Sequence, residues 1–134
     1  MLSTLIIEDE AAVAQTLREL VEFEDRHHVA AVADDLNGAL AAAQEHRIDV
    51  ALIDIHLARL STGYNVASEL SRKGIRCVFV TGSAPPFPMP EVALGCIVKP
   101  CTVDAVHSAL DAAAASISAD DRIPVRSSPG FTVY

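Results

Sequence analysis

Five short runs of apolar residues recur along the chain: TLIIE, HVAAVA, VALID, CVFV and CIV. Within each run the apolar residues are continuous. A strand with one wet face alternates apolar and polar residues, whereas a strand buried on both faces does not. The runs therefore predict a parallel sheet covered by helices on both sides. Between them lie segments of helical period. In DEAAVAQTLRELVEF, Val13, Leu17 and Leu20 share a face. In DDLNGALAAAQEH, Leu36, Ala39, Leu40 and Ala43 do so, with Asp34 or Asp35 placed to cap the helix. Val66 and Leu70 face inward in TGYNVASELSRKG, and Gly74 is placed to end that helix. TVDAVHSALDAAAASIS puts Val103, Val106, Leu110, Ala113 and Ile117 on one face. Thr102 is its expected N-cap, and Asp104 complements the helix dipole.

Alternating strands and helices imply right-handed crossovers and a doubly wound α/β sheet. The alternation fails once, over residues 82–93, where PPFPMP occupies residues 85–90. Proline lacks an amide donor, and in a helix interior it costs about 3 kcal/mol. Residues before proline are pushed to extended conformations. The stretch predicts an extended or polyproline-like loop in place of the fourth helix, anchored by Phe87 or Met89. Two regular helical turns between Ser83 and Leu94 would contradict it. Residues 120–134 lose the periodicity and are expected to be a tail without an output domain, with FTVY docking on the domain formed by residues 1–119.

Composition narrows the class. The chain has 134 residues, 51% hydrophobic and 21% charged, which fits one soluble domain. No apolar run approaches the roughly 18 residues of a membrane span. The start, MLSTLIIEDE, lacks the basic region of a secretory signal, so a cytoplasmic location is expected. Cys77, Cys96 and Cys101 lack C-x-x-C spacing and predict neither a disulfide framework nor a zinc site. A formal net charge of -8 argues against a nucleic-acid surface.

Ligands of an open α/β sheet bind beyond the carboxyl ends of the strands. Glu8, Asp9 and Glu10 follow the first strand, Asp54 ends the third, Thr81 the fourth, and Lys99 the fifth. Carboxylates gathered in one pocket repel each other unless a cation offsets them. A hard divalent cation suits such a set, and Mg²⁺ is the usual one where phosphate is handled. A carboxylate beside it can act as a nucleophile toward phosphorus. An ammonium and a hydroxyl would then steady the transferred group.

With LIIEDE, VALIDIHL, VFVTGS and IVKPC in this order, the chain resembles the receiver domains of two-component response regulators, over roughly residues 3–118. The resemblance implies a flavodoxin-like, five-stranded parallel sheet in the order 2-1-3-4-5. It implies that Asp54 is phosphorylated by a histidine kinase or a histidine phosphotransfer protein. Mg²⁺ would be held by Asp9 and Asp54, by Glu8 mainly through water, and by the main-chain carbonyl of His56. Thr81 and Lys99 would contact the phosphoryl group, and the Lys99–Pro100 bond would be cis. Output would be protein contact with an unknown downstream protein, with no enzymatic activity, nucleic acid or membrane involved.

The chain departs from that family in places. Cys96 stands three positions before Lys99, where most receivers carry an aromatic residue that moves with the threonine. Its simplest role is a small buried hydrophobe, and a redox pair with Cys101 is the alternative. His56 stands beside the phosphoryl site. Ala58 replaces a usual proline, while Gly63 keeps a familiar glycine after a slightly longer loop. Only 17 residues separate Thr81 from Lys99, several fewer than usual. Two other functions fit the same residues: a binding module that no longer uses phosphate, and a Mg²⁺-dependent phosphohydrolase with an aspartyl nucleophile. Haloacid-dehalogenase-like enzymes of the latter kind carry a second Asp where His56 stands.

Overall fold

A computed structural model describes residues 2–25, 27–57, 62–82, 88–118 and 127–134. The elements follow in the order β1 (Ser3–Ile7), α1 (Ala11–Glu22), a 3-10 turn at Phe23–Asp25, β2 (His28–Ala33), α2 (Leu36–Glu45), β3 (Val50–Asp54) and α3 (Gly63–Arg72). Then come β4 (Arg76–Thr81), β5 (Gly95–Val98), α4 (Val103–Ser118) and β6 (Phe131–Val133). The sheet order is β2-β1-β3-β4-β5-β6. Strands β1 to β5 are parallel and take the flavodoxin-like order 2-1-3-4-5. The expected five strands become six, because β6 adds to β5 in antiparallel register.

The continuous apolar runs are explained by two cores. Successive strand residues point to opposite faces. Leu52, Val78, Val80 and Ile97 meet Leu17 and Val21 of α1 and Val106 and Leu110 of α4. Ile53, Cys77, Phe79 and Cys96 point the other way, toward Ala39 of α2 and Val66 and Leu70 of α3. Full burial of each such Leu, Ile or Phe contributes roughly 1.5–3 kcal/mol, so both faces hold the strands and fix where their ends lie. Of the two candidate caps of α2, it is Asp35 whose Oδ1 accepts from the Gly38 amide, at 2.8 Å. Thr102 Oγ1 accepts from the Ala105 amide at 3.1 Å and starts α4. Gly74 follows α3 with φ 84, a conformation that favours glycine. Ile117 departs from the expected face: in the last turn of α4 it is exposed.

Between β4 and β5 the described residues contain no helix. The Val92 and Ala93 amides both donate to Met89 O, at 3.1 and 3.0 Å, which closes a single turn. Met89 packs against the core that also holds Phe79 and Cys96, so it is an anchor of this loop. Phe87, the other expected anchor, lies outside the described residues, as do Pro85 and Pro86. FTVY docks as expected. Ser128 and Phe131 exchange two backbone bonds of 2.9 Å across Pro129 and Gly130. Proline sets φ at the first central position of that turn, and Gly130 takes φ 86 at the second.

Candidate functional site

Four strand ends converge at one edge of the sheet. Glu8 follows β1, and its amide donates to Ala33 O of β2 at 2.9 Å. Glu8 is only 3% exposed, and its carboxylate folds back on the chain that follows. Its Oε2 accepts from the Asp9 amide at 3.0 Å. Its Oε1 accepts from Lys99 Nζ at 3.1 Å. Asp54 closes β3 and is also buried. Its Oδ1 accepts from the His56 amide at 3.0 Å, and its Oδ2 lies 3.6 Å from Lys99 Nζ. Lys99 thus stands between two carboxylates.

Thr81 is fully buried at the end of β4, and the Lys99 amide donates to its carbonyl at 2.7 Å. That bond ties the hydroxyl-bearing strand to the ammonium-bearing one. The Lys99–Pro100 bond is cis, as the resemblance implied. Asp9 is exposed at the rim, and carboxylate oxygens of Glu8, Asp9 and Asp54 lie within 4.8 Å of one another. His56 exposes its side chain.

The electrostatics follow from this crowding. Burial, then the hydrogen bond shared with Asp54, pushes the Glu8 carboxyl up to about 7, with Lys99 opposing. Burial works against the Lys99 charge, but the Glu8 bond and the Asp54 charge outweigh it, so its pKa is raised. Glu8 therefore binds a proton more readily than an exposed carboxyl, chiefly because burial disfavours its charge. A divalent cation with oxygen ligands fits this donor set: three carboxylates at one point, two of them buried and one open to solvent.

Glu8, Asp9, Asp54, Thr81 and Lys99 are therefore all at one edge, with the His56 backbone beside them. Gly63 has a role that spacing did not disclose. A Cβ there would lie 2.4 Å from Asp54 O and 2.6 Å from Ile55 Cα. The first turn of α3 backs directly onto the end of β3. The redox pair of Cys96 and Cys101 finds no support in the packing. Cys96 belongs to the core under α2 and α3, while Cys101 packs against the core on the other side of the sheet. Burial raises both thiols, which disfavours thiolate chemistry.

Tyr134 and Gly95, by contrast, had no signal in the strand ends. Tyr134 places its ring 6.5 Å from that of Phe79, on the face where the fourth helix was expected. FTVY was expected to dock, but nothing in its four residues pointed to a seat at Gly95.

A doubly wound α/β domain with acids, a hydroxyl and a lysine at one sheet edge is the class that these observations define. A family model described as the response regulator receiver domain matches residues 4–111, and the chain belongs to that family. Similar solved structures agree. The signal receiver domain of a modulated diguanylate cyclase from Desulfovibrio desulfuricans G20 is 27% identical, with a TM-score of 0.79. The match covers 89% of this chain and 98% of that one. The receiver domain of the response regulator PhyR from Erythrobacter litoralis is 25% identical, with a TM-score of 0.71 and coverage of 84% and 89%. A CheY-like receiver domain from Methanospirillum hungatei JF-1, 23% identical, shares the fold with a TM-score of 0.74 and coverage of 90% and 99%. No curated protein matches the chain. Receiver domains are in general signalling modules rather than enzymes, and they interact with histidine kinases or phosphotransfer proteins. Among the described residues, no helix is long and apolar enough to cross a membrane.

Proposed function

We propose that Asp54 accepts a phosphoryl group from a phosphohistidine on a kinase or phosphotransfer protein. The observation that carries this is the position of Lys99 Nζ, 3.1 Å from Glu8 and 3.6 Å from Asp54 at the strand ends. An Asp54 carboxylate oxygen attacks phosphorus. A P–O bond forms as the P–N bond to histidine breaks, and the imidazole leaves with the electron pair. Lys99 donates to the phosphoryl oxygens, and the Thr81 hydroxyl offers a second donor. The His56 amide, already on Asp54 Oδ1, holds the carboxylate in place. Glu8, Asp9, Asp54 and the His56 carbonyl would hold Mg²⁺, which when bound offsets the charge of the acids and of the transferred group.

In this proposal the receiver unit is residues 1–119, and its own residues carry out no further turnover. The phosphorylated form signals by contact with another protein. An adduct raises the negative charge at the edge and biases the adjoining surface. Incubation with acetyl phosphate and Mg²⁺ tests it. One phosphoryl group per chain is expected, absent in Asp54→Asn. Equal labelling of the two proteins would overturn the assignment.

A further inference from the structure

The last residues of the chain bridge both cores and the site. Phe131 is 1% exposed and packs with Ala105 and Leu110 in the core under α1 and α4. Tyr134 packs against the opposite core, with its ring 6.5 Å from that of Phe79 and its hydroxyl beside Cys96. The seat is shaped for this strand. A Cβ on Gly95 would lie 2.2 Å from Thr132 O and 2.8 Å from Phe131 Cε1. At one end the Tyr134 amide donates to Leu94 O at 2.9 Å. At the other the Val98 amide donates to Gly130 O at 2.9 Å. Val98 is one residue from Lys99. Yet β6 has only three residues. The Tyr134 hydroxyl is buried and has the Cys96 thiol, a weak hydrogen-bonding group, as its neighbour. A thiol replaces poorly the water that the hydroxyl gives up, which offsets part of the gain from burying the two rings.

We propose that β6 is a strap whose docking on β5 is coupled to phosphorylation of Asp54, and that it is released in the phosphorylated state. This rests on the phosphoacceptor assignment above. A phosphoryl group adds roughly −1.5 to −2 of charge. It draws Lys99 away from Glu8 and toward Asp54. The Lys99 amide is bonded to Thr81 O and the preceding amide to Gly130 O, so a shift at the end of β5 misaligns the strap. The Gly95 seat, with no room for even a methyl group, does not follow such a shift. Release uncovers the N–H and C=O groups of the β5 edge, together with the seats of Phe131 and Tyr134. That surface fits an extended partner segment carrying aromatic side chains at the spacing of the strap itself.

Hydrogen exchange at the Val98 and Tyr134 amides, followed by NMR on the full chain with Mg²⁺ and acetyl phosphate, reads the strap. Intact mass reads the adduct. The expected result is an adduct with both amides exchanging about tenfold faster, within the usual range of coupling between sites. Without phosphorylation, Tyr134→Ala is expected to speed exchange at Val98. Tyr134→Phe, which keeps the ring and removes a hydroxyl that the Cys96 thiol pairs only weakly, is expected to slow it. An adduct with unchanged exchange at both amides overturns the strap alone. No adduct on the wild type overturns the phosphoacceptor assignment and the strap with it.

Discussion

Asp54 is positioned by a neighbour with no side chain. The Gly63 amide donates to Ile55 O at 3.0 Å, and its Cα faces the Asp54 carbonyl so closely that a methyl group would lie 2.4 Å from that oxygen. Neither partner can yield cheaply, because Asp54 O is backbone at the end of a buried strand and Gly63 opens a helix whose Val66, Ala67 and Leu70 are buried. Gly63→Ala is expected to cost about 1–3 kcal/mol, the range of an overpacked interior site. It should also lower acetyl phosphate labelling, because the end of β3 must move. Thermal denaturation and labelling on the same sample check both. An unchanged melting temperature with full labelling would mean that the loop after Asp54 absorbs the methyl group.

Strands β1 to β5 were legible in the sequence because burial on both faces leaves an unbroken apolar run, a signal held within each element. The site was legible for a related reason: in this topology every parallel strand delivers its last polar residue to one edge. Strand β6 was not legible as a strand. Its three residues have no partner pattern of their own, and its seat depends on Gly95, far away in sequence. Ile117 misled for the opposite reason, since helical period continues to the end of α4 although burial does not. Cys96 shows how an element can be rebuilt. Where a ring is expected on β5, the chain has a thiol, and Tyr134 brings a ring to that core from the position after β6. Cys96→Phe should therefore overpack the site between Phe79 and Tyr134 and destabilise the fold by about 1–3 kcal/mol. Paired with Tyr134→Ala, the same substitution should cost less than the sum of the two single changes, since one ring vacates space for the other. Additive losses of melting temperature would show that the two rings do not compete.

At the scale of the whole molecule, the formal charge of -8 makes a cation-poor pocket of buried acids a standing liability. Glu8 titrates at about 7 in the fold against 4.5 as an ordinary carboxyl. Between those values the folded chain holds more protons than the unfolded one. The associated stability is complete below about 4.5 and is lost as pH rises through about 7. Without divalent metal, the protein should lose melting temperature across that window, and Glu8→Gln should flatten much of the decline. A cation bound by carboxylates competes with the proton and stabilises the folded state by mass action. Millimolar Mg²⁺ should therefore raise the melting temperature more near pH 8 than near pH 5, measured against NaCl of matched ionic strength to remove general screening. Glu8→Gln should narrow that difference, because its amide takes no proton in the window. A Mg²⁺ shift equal at both pH values, or one that NaCl reproduces, would place the metal on the diffuse negative surface instead of among Glu8, Asp9 and Asp54.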